Sequence, residues 1–498
     1  MSGGREAVRN ATAVVFVNGR RAGSAVLVGR SHLVTAAHVL PKNDGDTKLA
    51  VAFPGDGERQ RRVTVALRNA DVDVAVLEVQ VDGDDVDAAA VGLPDPVLVW
   101  AAGRLPQQVA VFGYPLSDST VAGVWRRFEV AGPTAGGAVQ LRWEEGVGTF
   151  RGHSGGPVVD SRTGAWVGVL IQGSEDGRFD RFVPHTTIAE HWPDLPWPWL
   201  YAGADAKAHF LRRALGQRSK ARGGDQFHGR TAAVEATREW LTTPEPPGVP
   251  LVITGQPGAG KSSVLARAVH ELDHHGPGLA FHARDAAHQD LLTAIADFTG
   301  AKDPTDRDDL IDELFDTNPP RPWMVAVDAL DEAASQVDRE QMAATLVELA
   351  QIPGLRVAVA TRPLAVNDQQ RFARTSLLYQ LGARHPDSTN LVDLDADRFF
   401  DPHDLATFAA TLLTQERTER PGPPGHAWQT YRDHPDLCAR LSRVIAHRAG
   451  RNYLVAAMAA DALSTDPDIL DPTAEGFDPA LVPSRIGEAL HKKPCTNT

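Results

Sequence analysis

Three patterns follow one another along the chain and predict a multidomain protein: an all-β region, an α/β domain on a parallel sheet, and a helical region. From Ala11 to about Ile188, short runs rich in Val, Leu and Ala (Ala13 to Val17, Ala25 to Val28) are broken about every ten residues by Gly, Asp or Pro. That punctuation is the mark of a β barrel or sandwich. From about Phe227 to Arg362, apolar runs (Val249 to Thr254, Trp323 to Val327, Leu355 to Ala360) alternate with helix-compatible stretches, the first of them from Lys261. Such alternation implies parallel strands with helical crossovers. Beyond Arg362 the strand signal fades, and Asp404 to Leu413 and Cys438 to Leu463 read as helices.

Between the first two regions lies His191-Trp-Pro-Asp-Leu-Pro-Trp-Pro-Trp-Leu-Tyr201, too rich in proline for a helix interior, and then a basic, helix-compatible stretch from Lys207 to Arg222. The expected organisation is therefore a β domain over 1–191, a linker over 192–224, an α/β domain over 225–385 and a helical domain over 386–498. A length of 498 residues suits about three domains.

A 42% hydrophobic and 23% charged composition is that of a globular chain. No run approaches the roughly 18–20 apolar residues of a membrane span, and the N-terminus lacks a signal-peptide layout. A cytoplasmic protein with no membrane partner is expected. Two cysteines, Cys438 and Cys495, provide neither a disulfide framework nor a zinc cluster. A formal net charge of −14 argues against nucleic acid as a partner.

The first chemical motif is Gly255-Gln-Pro-Gly-Ala-Gly-Lys-Ser262, directly after the apolar run Leu251-Val-Ile-Thr254. A glycine-rich turn between a strand and a helix aims backbone N–H groups at a phosphate. Lys261 is placed to reach the β- and γ-phosphates and Ser262 to ligate Mg²⁺. The expected phosphate site comprises Gly255, Gln256, Pro257, Gly258, Ala259, Gly260, Lys261, Ser262 and Ser263. A second strand, Met324-Val-Ala-Val-Asp328, ends in a carboxylate suited to the Mg²⁺ shell. Asp331 or Glu332 just beyond it is suited to orienting or deprotonating a water. No metal besides Mg²⁺ is expected, and His274-His275 reads as a solvated helix end.

The second motif is spread over the β region: Leu33-Val-Thr-Ala-Ala-His38, then Asp73-Val-Ala-Val-Leu-Glu-Val79, then Gly152-His-Ser154-Gly-Gly-Pro157. A serine hydroxyl needs an imidazole to take its proton, and the imidazole needs a carboxylate to fix its tautomer. His38, Asp73 and Ser154 form such a set, with Asp71 as a rival acid. The glycines permit a sharp turn that places the N–H groups of Gly152 and Ser154 as an oxyanion hole.

These three segments closely resemble the chymotrypsin-fold serine peptidases over roughly Ala11 to His191, which implies a trypsin-like double barrel with His38, Asp73 and Ser154 as its triad. The resemblance departs at His153, where secreted members carry the aspartate that pairs with a freed N-terminus. Activation by clipping is not expected. Gly148 and Ile171-Gln-Gly173 occupy the specificity-pocket positions and imply an uncharged P1 side chain.

The nucleotide segments resemble the signal-transduction ATPases with numerous domains (STAND), a group that includes the NACHT-type ATPases, over roughly Phe227 to Leu463. That resemblance names ATP as the nucleotide, Phe227 and Arg230 of Phe227-His-Gly229-Arg230 as residues beside the adenine, and Arg362 of Val357-Ala-Val-Ala-Thr361-Arg362-Pro363 as a γ-phosphate sensor. Family members continue into a winged-helix domain and a repeat array, and a truncated chain is the expectation here, with sensing left to a separate protein. Jointly the resemblances imply a serine endopeptidase effector on an ATP- and Mg²⁺-dependent signalling switch, acting on a protein or peptide substrate, self-associating on activation and serving bacterial defence. The alternative from another class is a nucleotide-switched scaffold whose β domain binds peptides without cutting them.

Overall fold

A computed structural model describes residues 2–484 except for 30, 43–46, 54–58, 81–104, 117–122, 135, 144–150, 163, 172–178, 193–194, 196–198, 218–224, 246, 273–274, 300, 302–305, 316–321, 365–369, 416–426 and 467. By compactness the chain divides into two units. One comprises Met1–Leu200, Asp273–Gly278 and Leu292–Trp323, and the other Tyr201–Leu272, Leu279–Leu291 and Met324–Thr498.

The first unit holds two closed six-stranded barrels. Strands β1 (Thr12–Val17), β2 (Arg20–Leu27), β3 (His32–Ala36), β4 (Leu49–Ala52), β5 (Arg61–Asn69) and β6 (Val74–Val79) close in the order β1-β2-β3-β6-β5-β4. Strands β7 (Gln108–Gly113), β8 (Val124–Pro133), β9 (Val139–Trp143), β10 (Pro157–Asp160), β11 (Trp166–Ile171) and β12 (Asp180–Pro184) close as β10-β11-β12-β9-β8-β7. Full closure removes every free sheet edge and turns one face of each strand inward. Buried residues such as Val15, Val26, Leu33, Val76 and Leu77 fill one core, and Val111, Phe128, Leu141, Val158 and Phe182 another. Burial of a Val, Leu or Phe side chain is worth about 1.5–3 kcal/mol each, which is why alternating Val and Leu suffice to specify these barrels.

The register between β3 and β6 positions the chemistry. They pair antiparallel with Thr35 opposite Ala75 and Ala36 opposite Val74, and the Ala37 N–H donates to the Asp73 carbonyl at 3.0 Å. The 3₁₀ turn Ala37–Val39 that follows β3 is thereby held beside the residue that immediately precedes β6.

A six-stranded sheet has the order β13-β15-β16-β17-β14-β18, with β13 (Trp199–Ala202), β14 (Leu251–Thr254), β15 (Gly278–His282), β16 (Trp323–Asp328), β17 (Leu355–Ala360) and β18 (Leu391–Asp393). Strand β14 pairs parallel with both β17 and β18. Every residue of β14, β15, β16 and β17 is buried, as parallel strands covered on both faces must be. The helix Lys261–Glu271 follows β14, and Gln336–Leu349 follows β16. Toward the C-terminus, Pro402–Thr414, Ala427–Asp433, Pro435–Ala449 and Tyr453–Thr465 pack as a helical cluster around Leu405, Leu441, Ile445 and Ala456.

The span 192–224 departs from its reading as a linker. Its prolines forbid a helix interior but not an extended strand, and Trp199–Ala202 joins the sheet as β13 while Ala206–Ala214 is helical. Trp199 is 1% exposed and seats its indole where β15 has Gly278, so closely that a Cβ there would meet the ring at 2.3 Å. Among the described residues no helix is long and apolar enough to cross a membrane.

Candidate functional site

In the first unit the register of β3 and β6 brings His38 onto Asp73. The His38 Nδ1 lies 2.7 Å from Asp73 Oδ2, and the His38 backbone N–H donates to Asp73 Oδ1 at 2.9 Å. Asp73 adopts a left-handed backbone (φ 57°), a conformation that Asp tolerates better than most residues and that turns its carboxylate back over the end of β3. Asp71, the rival acid, is exposed and takes its own turn contact, its N–H donating to Asn69 Oδ1 at 3.0 Å.

Ser154 sits on a loop pressed against β2 and β3. The Ser24 N–H donates to the Ser154 carbonyl (2.9 Å), and the Ser24 hydroxyl donates to the Gly152 carbonyl (2.8 Å). The Tyr114 N–H donates to that same hydroxyl (3.1 Å), and Thr35 Oγ1 donates to the Ser24 carbonyl (2.7 Å). Ser24 and Thr35 are fully buried, so these bonds are made away from competing water. Neither was singled out by the motifs, since a lone Ser or Thr in a β run carries no distinctive spacing.

Glycine is required at two loop positions. Gly152 (φ 106°) has the Tyr114 carbonyl 2.2 Å from where a Cβ would stand, and Gly155 (φ 80°) has the Ser24 carbonyl at 2.1 Å and Thr35 Oγ1 at 2.2 Å. Gly155 and Gly156 spend their N–H groups on the carbonyls of Leu170 and His153. Among the described residues, the N–H groups of Gly152 and Ser154 make no hydrogen bond. His153 is fully buried, and Ile171 is buried at the end of β11. Gly148, Gln172, Gly173 and His274 lie outside the described residues.

The second unit carries a cavity of about 410 Å³ at the ends of the sheet strands, lined by Phe227, Arg230, Pro257 to Ser263, Asp328, Asp331, Glu332 and Arg362 among others. Gly258 (φ 87°) and Gly260 (φ 102°) turn the loop, and a Cβ on Gly260 would meet nothing within 4 Å. Lys261 Nζ donates to the carbonyls of Gly255 (2.9 Å) and Gln256 (3.2 Å). Burial holds the Lys261 pKa below its ordinary value, against the opposing charge of Asp331. Gln256 is exposed, its N–H donating to Asp395 Oδ2 at 2.9 Å, and Ser262 and Ser263 are half-buried at the start of the helix.

Several motif residues that line the cavity are also tied into the surrounding fold. Arg230 is 4% exposed and donates to the carbonyls of Leu394, Phe399, Ala259 and Arg451 at 2.7–3.3 Å. Its guanidinium thus ties the cavity wall together. Arg362 is engaged as well, with Nε 3.0 Å from Asp331 Oδ2 and an amino group 2.8 Å from Glu332 Oε1. Partial burial alone would raise the Glu332 pKa, but the guanidiniums of Arg284 and Arg362 hold that carboxyl below the usual range. Phe227 packs under the Arg267 guanidinium, 5.2 Å from its ring centre.

The motifs left three cavity contacts unread. Asn452 Nδ2 donates to the Pro257 carbonyl at 2.8 Å while its Oδ1 caps the helix Tyr453–Thr465. His209 Nε2 lies 2.7 Å from Asp328 Oδ2. His282 stacks on His209 with ring centres 3.9 Å apart. Burial, with the His209 ring adding to it, depresses the His282 pKa.

Residues 23–169 match the family model described as a trypsin-like peptidase domain. Comparison with curated proteins returns no match. Among solved structures, the chain is similar to the inactive form of the Rv3671c protease of M. tuberculosis H37Rv, at 20% identity, covering 39% of this chain and 92% of that one, with a TM-score of 0.29. It is also similar to the apo MamO protease domain of Magnetospirillum magneticum, at 23% identity, covering 38% and 98%, with a TM-score of 0.30. The family match over 23–169 and the two closed six-stranded barrels identify the N-terminal part of the chain as a trypsin-like peptidase domain.

Proposed function

We propose that the chain is a serine endopeptidase working through His38, Asp73 and Ser154, governed by an ATP-binding module of the P-loop, NACHT-like type. The observation that carries the peptidase reading is the double engagement of Asp73 with the ring and backbone of His38, at 2.7 and 2.9 Å. Asp73 fixes the proton on Nδ1, which leaves the lone pair of Nε2 to take the Ser154 hydroxyl proton as its oxygen attacks a peptide carbonyl. The N–H groups of Gly152 and Ser154 receive the charge that develops on the carbonyl oxygen. His38 then returns its proton to the leaving amine, and water completes the hydrolysis of the acyl-enzyme.

The residues around the glycine-rich loop fit a Mg²⁺-bound nucleoside triphosphate. The open space at Gly260, the start of a helix immediately after it and a largely desolvated ammonium on Lys261 make a cradle for anionic oxygens. Ser262 and Asp328 would hold Mg²⁺, which supplies charge neutralisation at the phosphates when bound. Lys261 would leave the loop carbonyls for the β- and γ-phosphates, and Arg362 would exchange Asp331 and Glu332 for the γ-phosphate. Asn452, bonded to Pro257, would carry a change in the loop into the helix Tyr453–Thr465. A cytoplasmic setting, self-association on activation and a role in bacterial defence extend this reading.

A fluorophosphonate probe tests the peptidase half. Ser154 is expected to be labelled, and His38→Ala to slow labelling by at least about a hundredfold. Labelling at equal rates in both proteins would favour the non-catalytic, peptide-binding scaffold. For the nucleotide half, Lys261→Ala is expected to weaken Mg²⁺-ATP binding by about tenfold to a hundredfold, read by calorimetry, the worth of one charge-assisted contact. A labelling rate that changes with ATP in the parent protein but not in this variant would join the two halves.

A further inference from the structure

We infer that His209, His282 and Asp328 form a binding site for a first-row divalent transition ion, with Zn²⁺ the natural occupant and Co²⁺ its spectroscopic probe. The three side chains come from the helix Ala206–Ala214, the last residue of β15 and the last residue of β16. Each offers one ligand atom, and these atoms all lie within 4.8 Å of one another. Three donors at about 2.0–2.2 Å from a tetrahedral zinc stand roughly 3.3 Å apart, so rotation of the imidazoles suffices to close the set.

A second observation points to a ligand. His282 is 4% exposed, and its Nδ1 faces the Ala204 carbonyl at 3.1 Å. With the proton held there, Nε2 is left as a bare lone pair. That atom is buried and, among the described residues, has no hydrogen-bond partner. A buried acceptor without a donor is destabilising, and a cation removes the deficit. An imidazole whose other nitrogen donates to a backbone carbonyl is also the arrangement that orients metal-ligating histidines.

Asp328 is 1% exposed, and among the described residues its carboxylate is partnered by His209 at 2.7 Å, itself a competent ligand. Two imidazoles and one carboxylate favour Zn²⁺ or its neighbours over Mg²⁺ or Ca²⁺, which prefer all-oxygen sets. All three residues line the cavity, which leaves a fourth coordination position for water or an entering ligand.

The test uses the full chain, stripped with a chelator and titrated with Co²⁺ without nucleotide. One equivalent is expected to give the intense visible bands of four-coordinate cobalt, and Zn²⁺ is expected to displace it. His282→Ala should abolish the bands. Should that buried substitution unfold the protein, His209→Gln on the partly exposed helix gives the same reading, with circular dichroism verifying the fold. Weak six-coordinate spectra in the parent protein, or bands that persist in both variants, would overturn the assignment. No nucleotide is present, so failure here leaves the ATP reading standing, whereas success would withdraw Asp328 from the Mg²⁺ shell proposed above and leave Ser262 as its ligand from the protein.

Discussion

Asp73→Asn is expected to lower peptide turnover about 10⁴-fold while the barrels stay folded. Asp73 Oδ1 accepts the His38 N–H at 2.9 Å and Oδ2 faces Nδ1 at 2.7 Å. An asparagine keeps its amide oxygen on the backbone donor, because the opposite orientation would set an amino group against an N–H. The amino group then faces Nδ1 and obliges it to accept. The ring proton moves to Nε2, the nitrogen that takes the Ser154 proton in the proposed mechanism, and the base is lost although each atom stays near its place. Asn tolerates the left-handed backbone at this position as Asp does, so no strain is added. Peptide hydrolysis beside a thermal melt checks the expectation. An unchanged melt with a loss of less than tenfold would mean that some other carboxylate orients His38.

Gly155→Ala should be nearly as damaging, by a different route. The methyl group would stand 2.1 Å from the Ser24 carbonyl and 2.2 Å from Thr35 Oγ1, at a φ of 80°. Neither neighbour can retreat, since both belong to barrel strands and Thr35 is bonded to the same Ser24 carbonyl. The loop carrying Ser154 has to lift by about 1 Å, a displacement that costs about a hundredfold in rate. Overpacking and the unfavourable backbone together predict a stability loss of about 3 kcal/mol. Gly136→Ala is the control, because a Cβ there meets nothing within 4 Å. Equal melting temperatures and equal labelling rates for the two variants would show that the loop is not wedged as described.

Legibility in the sequence followed the range of the interactions. The pairing of His38 with Asp73 was readable because His38 follows one apolar run and Asp73 precedes another, and those runs become the paired strands β3 and β6 whose register does the rest. The glycine-rich loop was readable for a similar reason, since strand, turn and helix are contiguous. Ser24 was hidden: its value comes from four hydrogen bonds assembled by the fold, to residues as near as Thr35 and as far as Ser154. His209, His282 and Asp328 were hidden likewise, being 73 and 46 residues apart along the chain with no spacing rule to connect them. Arg230 shows the converse case. Its motif was visible, but the four carbonyls that occupy its guanidinium come from segments far along the chain, and only folding reveals that it braces the cavity wall.

The strand Trp199–Ala202 has a practical consequence for anyone who cuts the chain after the barrels. It stands at the end of the sheet order, beside β15. A fragment begun at residue 225 would uncover the backbone donors and acceptors along β15 and empty the seat that the Trp199 indole fills at Gly278. An unpaired apolar border of that kind recruits strands from other molecules. Such a fragment should aggregate, whereas one begun before Trp199 should remain monodisperse, and poor behaviour of the shorter piece would speak to a missing border strand rather than to an unfoldable sheet.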